Sequence, residues 1–304
     1  MTRLFACVLA AWLAWSQQAP VTFRSGVDVV SVDVSVRDRG RVITGLTASD
    51  FVVLDNDVRQ DVADVSFDKL PIDVTVALDI SSSVTGDMLE RLQRAVAQLM
   101  KDLGKADRLR LMTFHARIAR VVDFTDDVAT VQRAIRNVTA GGGTSIFDTI
   151  STALISADQA DRRQLLVVFT DGADSTSITE LSPLIDVAQR TNVAVSTVMP
   201  TGVAPAEMSS VNGVLIVSRM MPRNLSRARA FSRLADETGG QVIPQVAGGD
   251  LSATFRRVLG DFRSSYVVRY VPKGVTRGGL HTLSVTVPAR RGLTVRARRG
   301  YAFD

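Results

Sequence analysis

The sequence predicts an α/β fold with a doubly wound, mostly parallel sheet, accompanied by a small β module built from N- and C-terminal strands. Two short apolar runs, Val74–Leu78 and Leu165–Phe169, each end in a polar cluster, which is typical of strands buried on both faces. Amphipathic segments of helical period alternate with such runs through the middle of the chain. Runs that alternate apolar and polar residues lie outside this region, and they are typical of strands with one wet face.

The composition and the first residues indicate an exported globular protein. The chain has 304 residues, of which 46% are hydrophobic and 22% charged. Arg3 precedes an apolar run, Leu4–Trp15, that is too short to span a membrane, so we expect a signal peptide cleaved before Gln17; an uncleaved membrane anchor is the alternative. Cys7 is the only cysteine, so the cleaved chain would contain no thiol. We divide the chain into a signal peptide (1–16), an N-terminal β leader (17–70), a central α/β domain (71–263) and a C-terminal β extension (264–304).

The leader is expected to consist of strands. Residues 27–36 read V-D-V-V-S-V-D-V-S-V, with period two, and further strands are predicted at Val52–Leu54 and Val62–Phe67. The polar stretch between them contains Asp55, Asp57 and Asp61. It lacks the glycine and the terminal glutamate of a helix-loop-helix calcium loop, so we expect these carboxylates to lie in a solvated hairpin.

The central domain alternates strands and helices. We expect a helix with Asp87 as its N-cap and Glu90 as the reciprocal acid, and an antiparallel pair of strands at a sheet edge, Arg108–Phe114 and Ile118–Phe124. Residues 201–224 interrupt the alternation and are interpreted as a surface insertion with a small hairpin. The remaining predicted helices are Val128–Val138, Ile146–Ala157, Ser182–Thr191, Arg227–Thr238 and Leu251–Phe262; the remaining strands are Gln164–Thr170, Val193–Val198, Gln241–Pro244, Ser265–Pro272, His281–Val287 and Leu293–Arg298.

Three polar stretches are candidates for one metal site. Asp79, Ser81 and Ser83 follow the first buried strand at alternate positions, so their oxygens can point to one side. Thr144 follows three glycines, and Asp171 ends the second buried strand. Because ligands of open α/β sheets bind outside the carboxyl ends of the strands, these side chains can meet there. A donor set of oxygens alone suits Mg²⁺. The alternative is that the same hydroxyls only cap the helices that follow.

The order and spacing of these stretches resemble the von Willebrand factor type A family and its metal-ion-dependent adhesion site. That pattern is D-x-S-x-S, a threonine in a Gly-rich loop, and an aspartate in T-D-G, here Asp79, Ser81, Ser83, Thr144 and Asp171. The resemblance implies a Rossmann-like domain in which the three hydroxyls bind Mg²⁺ directly, with Mn²⁺ or Ca²⁺ as alternatives. It also implies that the two aspartates act partly through water, and that a protein partner offers an acidic side chain to the ion. The leader and tail segments G-L-T-x-x-D-F, H-x-L-x-V-x-V and R-x-G-Y resemble the Acidobacterial group of such proteins.

We therefore expect a non-enzymatic, metal-dependent protein-binding module. A serine hydrolase needs a histidine base, and His115 and His281, the only histidines, are interpreted as ordinary surface residues. Neither a G-x-S-x-G elbow nor a Walker loop is present. The alternatives are a metal-independent scaffold and a polyanion-binding module that uses the basic C-terminal end. Nucleic acid is not expected as a partner, and membrane contact is expected only if the N-terminal segment stays uncleaved.

Overall fold

A computed structural model describes residues 29–67, 70–84, 86–157, 162–201, 209–211, 214–216, 221–246, 248–290 and 292–303. The predicted signal peptide and its cleavage site lie outside these residues. Within the described ranges, none of the helices combines the length and the apolar character that a membrane crossing requires.

The observed elements alternate through the centre of the chain as predicted. The helices are α1 (Asp87–Asp102), α2 (Val128–Arg136), α3 (Ile146–Ile155), α4 (Leu181–Gln189), α5 (Met221–Thr238) and α6 (Leu251–Arg263). The strands are β1 (Val30–Asp38), β2 (Arg41–Val42), β3 (Val52–Asp55), β4 (Val58–Gln60), β5 (Val62–Phe67), β6 (Ile72–Asp79), β7 (Arg108–Phe114), β8 (Ile118–Thr125), β9 (Arg163–Phe169), β10 (Val193–Thr201), β11 (Ser209–Val211), β12 (Val214–Ile216), β13 (Val242–Val246), β14 (Tyr266–Tyr270), β15 (Gly279–Thr286), β16 (Thr294–Arg296) and β17 (Gly300–Phe303).

The central sheet has the order β13-β10-β9-β6-β7-β8. All neighbours are parallel except β7 and β8, so the predicted antiparallel pair at a sheet edge is confirmed. Every residue of β6 and β9 is buried, because apolar clusters cover both faces of the sheet. The carboxyl ends of β6 and β9 therefore open side by side at one edge, which is where the candidate site lies.

The start of α1 differs from the prediction. Gly86 is the N-cap, with no side-chain capping hydrogen bond, and Asp87 is the first helical residue. The Asp87 carboxylate instead lies 4.0 Å from Arg91, one turn on, and 4.0 Å from Arg94, two turns on. An acid in the first turn still interacts favourably with the helix dipole, so the expected helix forms without the expected cap.

Within the interrupted region, the predicted small hairpin is present. Strands β11 and β12 pair antiparallel, with Val211 opposite Val214. Thr201 belongs to β10, and α5 begins at Met221 rather than at the predicted Arg227, so the insertion is shorter than predicted. Residues 202–208, 212–213 and 217–220 fall outside the described residues.

Strands from the two ends of the chain pair with each other. One sheet has the order β16-β1-β14-β5, and a second has the order β17-β15-β3-β4. Both sheets contribute to one apolar cluster, with Val34 and Tyr266 from the first sheet and Val53 and Val285 from the second. Apolar and polar residues alternate along these strands, so the apolar side chains lie on one face of each sheet, and these two faces pack together.

Two predictions in this region are wrong: Asp55 and His281 are buried rather than exposed to solvent. Asp55 is 0% exposed and His281 2%. Asp55 Oδ1 lies 2.6 Å from His281 Nδ1, while Tyr270 Oη and Tyr301 Oη donate to Asp55 Oδ2 at 2.9 and 2.8 Å. The physical reason is their position along the strands. Asp55 lies on the same face of β3 as Val53, and His281 lies on the same face of β15 as Leu283. The sheet that contains β14 covers this apolar face.

A second buried carboxylate joins three elements at the amino-terminal edge of the central sheet. Asp73, on β6, accepts hydrogen bonds from Arg108 Nε and Nη2 at 3.0 and 2.7 Å and from Arg162 Nε at 2.6 Å. Burial alone would raise the pKa of Asp73, but the hydrogen bonds from Arg108 and Arg162 outweigh it and hold the pKa below its ordinary value. A carboxyl whose pKa is lowered on folding stabilises the protein above its unfolded pKa and loses that effect as the pH falls through its folded pKa.

We expect Asp73→Asn to lower the free energy of unfolding at neutral pH by about 1.5–3 kcal/mol, because hydrogen bonds to a charged partner are lost. The deficit relative to the wild type should shrink as the pH falls from about 4, where the unfolded carboxyl takes up its proton, through the lower folded pKa of Asp73. Urea unfolding at several pH values measures both effects. Asp123→Asn is the control, since Asp123 pairs with Arg120 on the exposed surface. A deficit that does not depend on pH would contradict the argument.

Candidate metal site

The first site loop begins at Asp79, the last residue of β6, and it holds this carboxylate in a fixed orientation. Asp79 is 0% exposed. Its Oδ1 accepts a hydrogen bond from Ser81 N at 2.9 Å, and its Oδ2 accepts one from Thr170 Oγ1 at 2.7 Å. Thr170 follows β9, so this contact joins the first site loop to the third. Asp79 is thus placed to orient its neighbours, with both carboxylate oxygens engaged.

The two serine hydroxyls of the D-x-S-x-S stretch lie side by side. Ser81 Oγ is 3.1 Å from Ser83 Oγ, as their alternate positions predict. Ser81 is buried and Ser83 is exposed, so the pair extends from the interior to the surface. The side chain of Ser82, between them, is exposed.

The glycine-rich loop, the second site loop, is fastened to the first by backbone hydrogen bonds. Gly141 N donates to Ile80 O at 2.8 Å, and Ser82 N donates to Gly142 O at 3.1 Å. Gly142 has φ +85°, in the left-handed region that glycine adopts without strain. These contacts bring Thr144, which is buried, to the same edge as Asp79.

The third site loop, which begins at Thr170 and Asp171, is in turn fastened to Thr144. Thr144 O accepts hydrogen bonds from Ser175 N and Thr176 N at 2.9 and 3.0 Å, and Thr144 N donates to Ser175 Oγ at 2.9 Å. The Thr144 hydroxyl makes no hydrogen bond within the described part of the chain. Asp171 is half-buried, and its Oδ1 accepts a hydrogen bond from Ala173 N at 2.9 Å. The three loops therefore meet at one edge of the sheet.

Asp174 caps the start of α3 and the loop that follows it. Its Oδ2 accepts from Phe147 N at 3.0 Å, and its Oδ1 accepts from Ser177 N at 3.1 Å. Phe147 lies in the first turn of α3, where backbone N–H groups lack helical partners. Asp174 thus satisfies the start of α3 rather than adding a third free carboxylate to the site.

The electrostatics of the edge favour a cation. Burial raises the pKa of the Asp79 carboxyl above its ordinary value, although hydrogen bonds from Ser81 and Thr170 lower it; the nearby charge of Asp171 raises it further. The charge of Asp171 therefore adds to burial in disfavouring ionisation of Asp79 at this partly desolvated edge. A bound dication would reverse that effect and favour both charges.

The donor set fits a hard cation. Within the described ranges, no group of three or more His, Cys, Asp and Glu side chains could hold a metal ion, so a soft or carboxylate-rich site is not found there. The edge instead offers two carboxylates and three hydroxyls, and one hydroxyl, that of Thr144, has no described partner. Mg²⁺ is commonly bound through one or two carboxylates together with several waters, and this arrangement leaves room for both.

Sequence reasoning missed two residues that build the site. Thr170 orients Asp79, and Ser175 holds the backbone of Thr144. Thr170 is the threonine of the T-D-G stretch, so the motif already indicated that it lies at the site. The position of Ser175 depends on the path of the third site loop, which no local pattern predicts.

A mostly parallel sheet with covered faces and a polar loop cluster at the carboxyl edge of its strands defines an α/β domain of the Rossmann-like class. The model of the von Willebrand factor type A domain matches residues 73–234, more than half of the chain, and the chain belongs to this family. The match covers the strands and loops that carry all five predicted site residues.

Individual relatives share only part of their length with this chain. The inter-alpha-trypsin inhibitor heavy chain H4 of Sus scrofa is 26% identical over 114 residues, which are 34% of this chain and 12% of that protein. Protein sll0103 of Synechocystis is 31% identical over 109 residues, 34% of this chain and 26% of that protein. The chain thus matches about an eighth and a quarter of the length of these curated relatives.

Two solved structures are similar to parts of this chain. BatB from Bacteroides thetaiotaomicron is 17% identical with a TM-score of 0.48, over 63% of this chain and 98% of that one. Proximal thread matrix protein 1 from the mussel byssus is 14% identical with a TM-score of 0.49, over 66% and 48% of the two chains.

The basic C-terminal end is largely compensated within the protein. Six of its cations pair with aspartates, namely Arg256, Arg257, Arg263, Arg269, Lys273 and Arg299. Arg298 is 7% exposed and donates to the carbonyls of Gln189, Thr191 and Gly300. Burial lowers the pKa of Arg298 to about 10, and the guanidinium stays charged at neutral pH. These contacts leave few free charges for a polyanion, which weakens that alternative.

Proposed function

We propose that this protein binds a protein partner through a divalent ion held by Ser81, Ser83, Thr144, Asp79 and Asp171. The observation that carries the proposal is the mutual fastening of the three site loops, with hydroxyls and carboxylates gathered at one edge. Domains of this family often mediate adhesion between proteins. The three hydroxyls bind the ion, and the two aspartates act partly through water. Mg²⁺ is the expected ion, with Mn²⁺ and Ca²⁺ as alternatives.

The ion has an open coordination position for the partner. With one oxygen from each, two carboxylates and three hydroxyls fill at most five of the roughly six positions of Mg²⁺. An acidic side chain of the partner fills the remaining position in place of water. Binding would then require the ion and would be lost in the presence of a chelator.

The role proposed is binding rather than catalysis. His281 is buried, with its Nδ1 against Asp55, and the His115 ring accepts a hydrogen bond from Arg117 N. Neither contacts a serine in the manner of a hydrolase. The site of action is the cell envelope or the exterior, which the N-terminal segment suggests.

We further propose that the leader and tail strands form a β module that supports the central domain. Arg163, at the start of β9, donates to Asp33 Oδ1 on β1 at 2.7 Å and to Ser265 Oγ at 2.5 Å. The Arg163 guanidinium also lies 4.2 Å from the Phe262 ring centroid. Arg163 thus joins the central sheet to both ends of the chain, and the module would hold the domain with its site directed away from it.

Thermal unfolding in Mg²⁺, Mn²⁺, Ca²⁺ and chelator tests the metal site. An ion that binds only the folded chain stabilises it by about 2.7 kcal/mol at a concentration 100 times its Kd. We expect Ser81→Ala, Ser83→Ala and Thr144→Ala each to reduce the ion-dependent rise in Tm. Ser82→Ala is the matched control, since it stands in the same loop with its side chain exposed, and it should retain the rise. A wild-type Tm that no ion changes would instead support a metal-independent scaffold.

A further inference from the structure

The glycine-rich loop of the proposed site has two neighbouring segments of different chemistry, which together form the rim of the site. On one side, the turn between β7 and β8, His115–Arg117, lies against the glycine-rich loop. A Cβ atom at Gly142 would stand only 3.1 Å from His115 Nδ1, and Gly142 O accepts the hydrogen bond from Ser82 N. The turn is therefore separated from the D-x-S-x-S stretch by a single layer of backbone.

This side of the rim carries an uncompensated positive charge. Arg117 is exposed, and its backbone N–H donates to His115 Nδ1 at 3.3 Å, which fixes the turn. Among the described residues, its guanidinium has no carboxylate partner. Arg120, three residues further along the same hairpin, pairs with Asp123 at 3.4 Å and is compensated. Arg117 is thus the charge that an incoming anion meets beside the site.

The third site loop, whose residues Ser175 and Thr176 lie beside Gly143, leads to an exposed apolar side chain. Ile178 is 93% exposed. Its N–H donates to Asp148 Oδ2 at 3.0 Å, and Thr179 N donates to Asp148 Oδ1 at 2.8 Å. Asp148 lies in the first turn of α3, shortly after Thr144, so the segment that carries Ile178 is fastened to the same element that follows the second site loop. Single exposed apolar residues are common, but the backbone that carries this one is held by the helix that follows the second site loop.

We propose that the partner presents an acidic, amphipathic segment across this rim. This inference rests on the proposed function, in which one carboxylate of the segment reaches the ion. A second acidic side chain then meets Arg117, and a large apolar side chain packs over Ile178. Complementary charge at a rim sets the orientation and the rate of association, while apolar packing around a central polar contact excludes water from it. The two contacts together give the segment one direction across the site.

A phage-displayed library of short random peptides, bound to the folded protein in Mg²⁺ and eluted with chelator, tests this inference. From the wild type we expect a consensus with one acidic residue, a second acidic residue on one side of it and a large apolar residue on the other. Selection on Arg117→Ser should lose the second acidic residue, and selection on Ile178→Ser should lose the apolar one. The residue that reaches the ion should persist in both.

Two matched variants serve as controls. Arg120→Ser removes a charge that is already paired, and Ile155→Ser removes an apolar side chain that is 71% exposed at the far end of α3. Both should select the wild-type consensus. Chelator-eluted peptides with a single acidic residue and no flanking preference, or a consensus unchanged by Arg117→Ser and Ile178→Ser, would overturn the inference and leave the metal site standing. No chelator-eluted peptides at all would overturn both.

Discussion

Asp55→Ala is expected to destabilise the protein more than any other single substitution argued for this chain. The variant leaves the hydroxyls of Tyr270 and Tyr301 and the Nδ1 atom of His281 without their common acceptor in a dry interior. Burial raises the pKa of both tyrosines, so their hydroxyls remain donors at neutral pH. Removing one partner of a buried charged network costs about 3–5 kcal/mol. We expect Tm to fall by roughly 10 °C, given about 2–4 °C for each kcal/mol in a domain of this size.

The large effect follows from the position of Asp55 between two sheets. Asp55 and His281 belong to the sheet β17-β15-β3-β4, whereas Tyr270 belongs to β14 in the other sheet. The carboxylate therefore joins strands from the leader and the tail, which are separated by the whole central domain. His281 Nε2 is buried without a hydrogen-bond partner in the described part of the chain, so the cluster already bears the cost of one unsatisfied atom.

Urea unfolding of Asp55→Ala and Asp61→Ala provides the comparison. Asp61 is a neighbouring carboxylate that pairs with Lys273 at 3.3 Å on the exposed surface, and such pairs contribute about 0–1 kcal/mol. If Asp55→Ala does not fold, Asp55→Asn, which keeps one acceptor oxygen, is the milder variant and should fall between the two. Equal stability of the Asp55 and Asp61 variants would show that the buried network has no net effect.

The burial of Asp55 and His281 could have been predicted in part from the sequence. Phe51, Val53 and Asp55 share one face of a strand, and His281, Leu283 and Val285 share another. Period two therefore assigns each polar residue to an apolar face. The alternation of residues does not predict that the sheet containing β14 extends far enough to cover Asp55 and His281 at the ends of those faces. That coverage arises from strands about 200 residues apart in the chain, and residue type alone favoured an exposed position.

The candidate site was predictable to a greater extent, because its geometry follows from parallel strands. Asp79 ends β6 and Asp171 lies just after β9, and the carboxyl ends of both strands open at the same edge, so their proximity requires only the correct topology. The adjacent hydroxyls of Ser81 and Ser83 follow from alternation along the loop. The contacts of Thr170 and Ser175 could not be read from spacing, because they depend on side chains from one loop reaching another.

Asp79→Asn is expected to abolish the ion-dependent rise in Tm and to leave the protein at least as stable as the wild type in chelator. Burial raises the pKa of Asp79, so without an ion the ionised carboxylate is less favourable in the folded chain than in the unfolded one. A carboxyl whose pKa is higher in the folded chain binds its proton more tightly there. Stability without an ion therefore falls as the pH rises from the unfolded pKa through the folded one, and the full penalty remains above it.

An amide at this position removes the buried charge and keeps one oxygen to accept from Ser81 N. In chelator, we expect the wild type to lose stability with rising pH across that interval and Asp79→Asn to lack this component. In Mg²⁺, the order reverses, because the ion stabilises the wild-type carboxylate and the amide supplies no compensating charge. Melting curves of both proteins, in Mg²⁺ and in chelator and over a range of pH, separate the two effects.

A wild type that is more stable than Asp79→Asn by the same amount with and without the ion would mean that Asp79 only caps its loop. A crossing of the two stabilities on adding Mg²⁺ requires a dication beside this carboxylate, because only an added positive charge converts the buried carboxylate from a cost into a stabilising group.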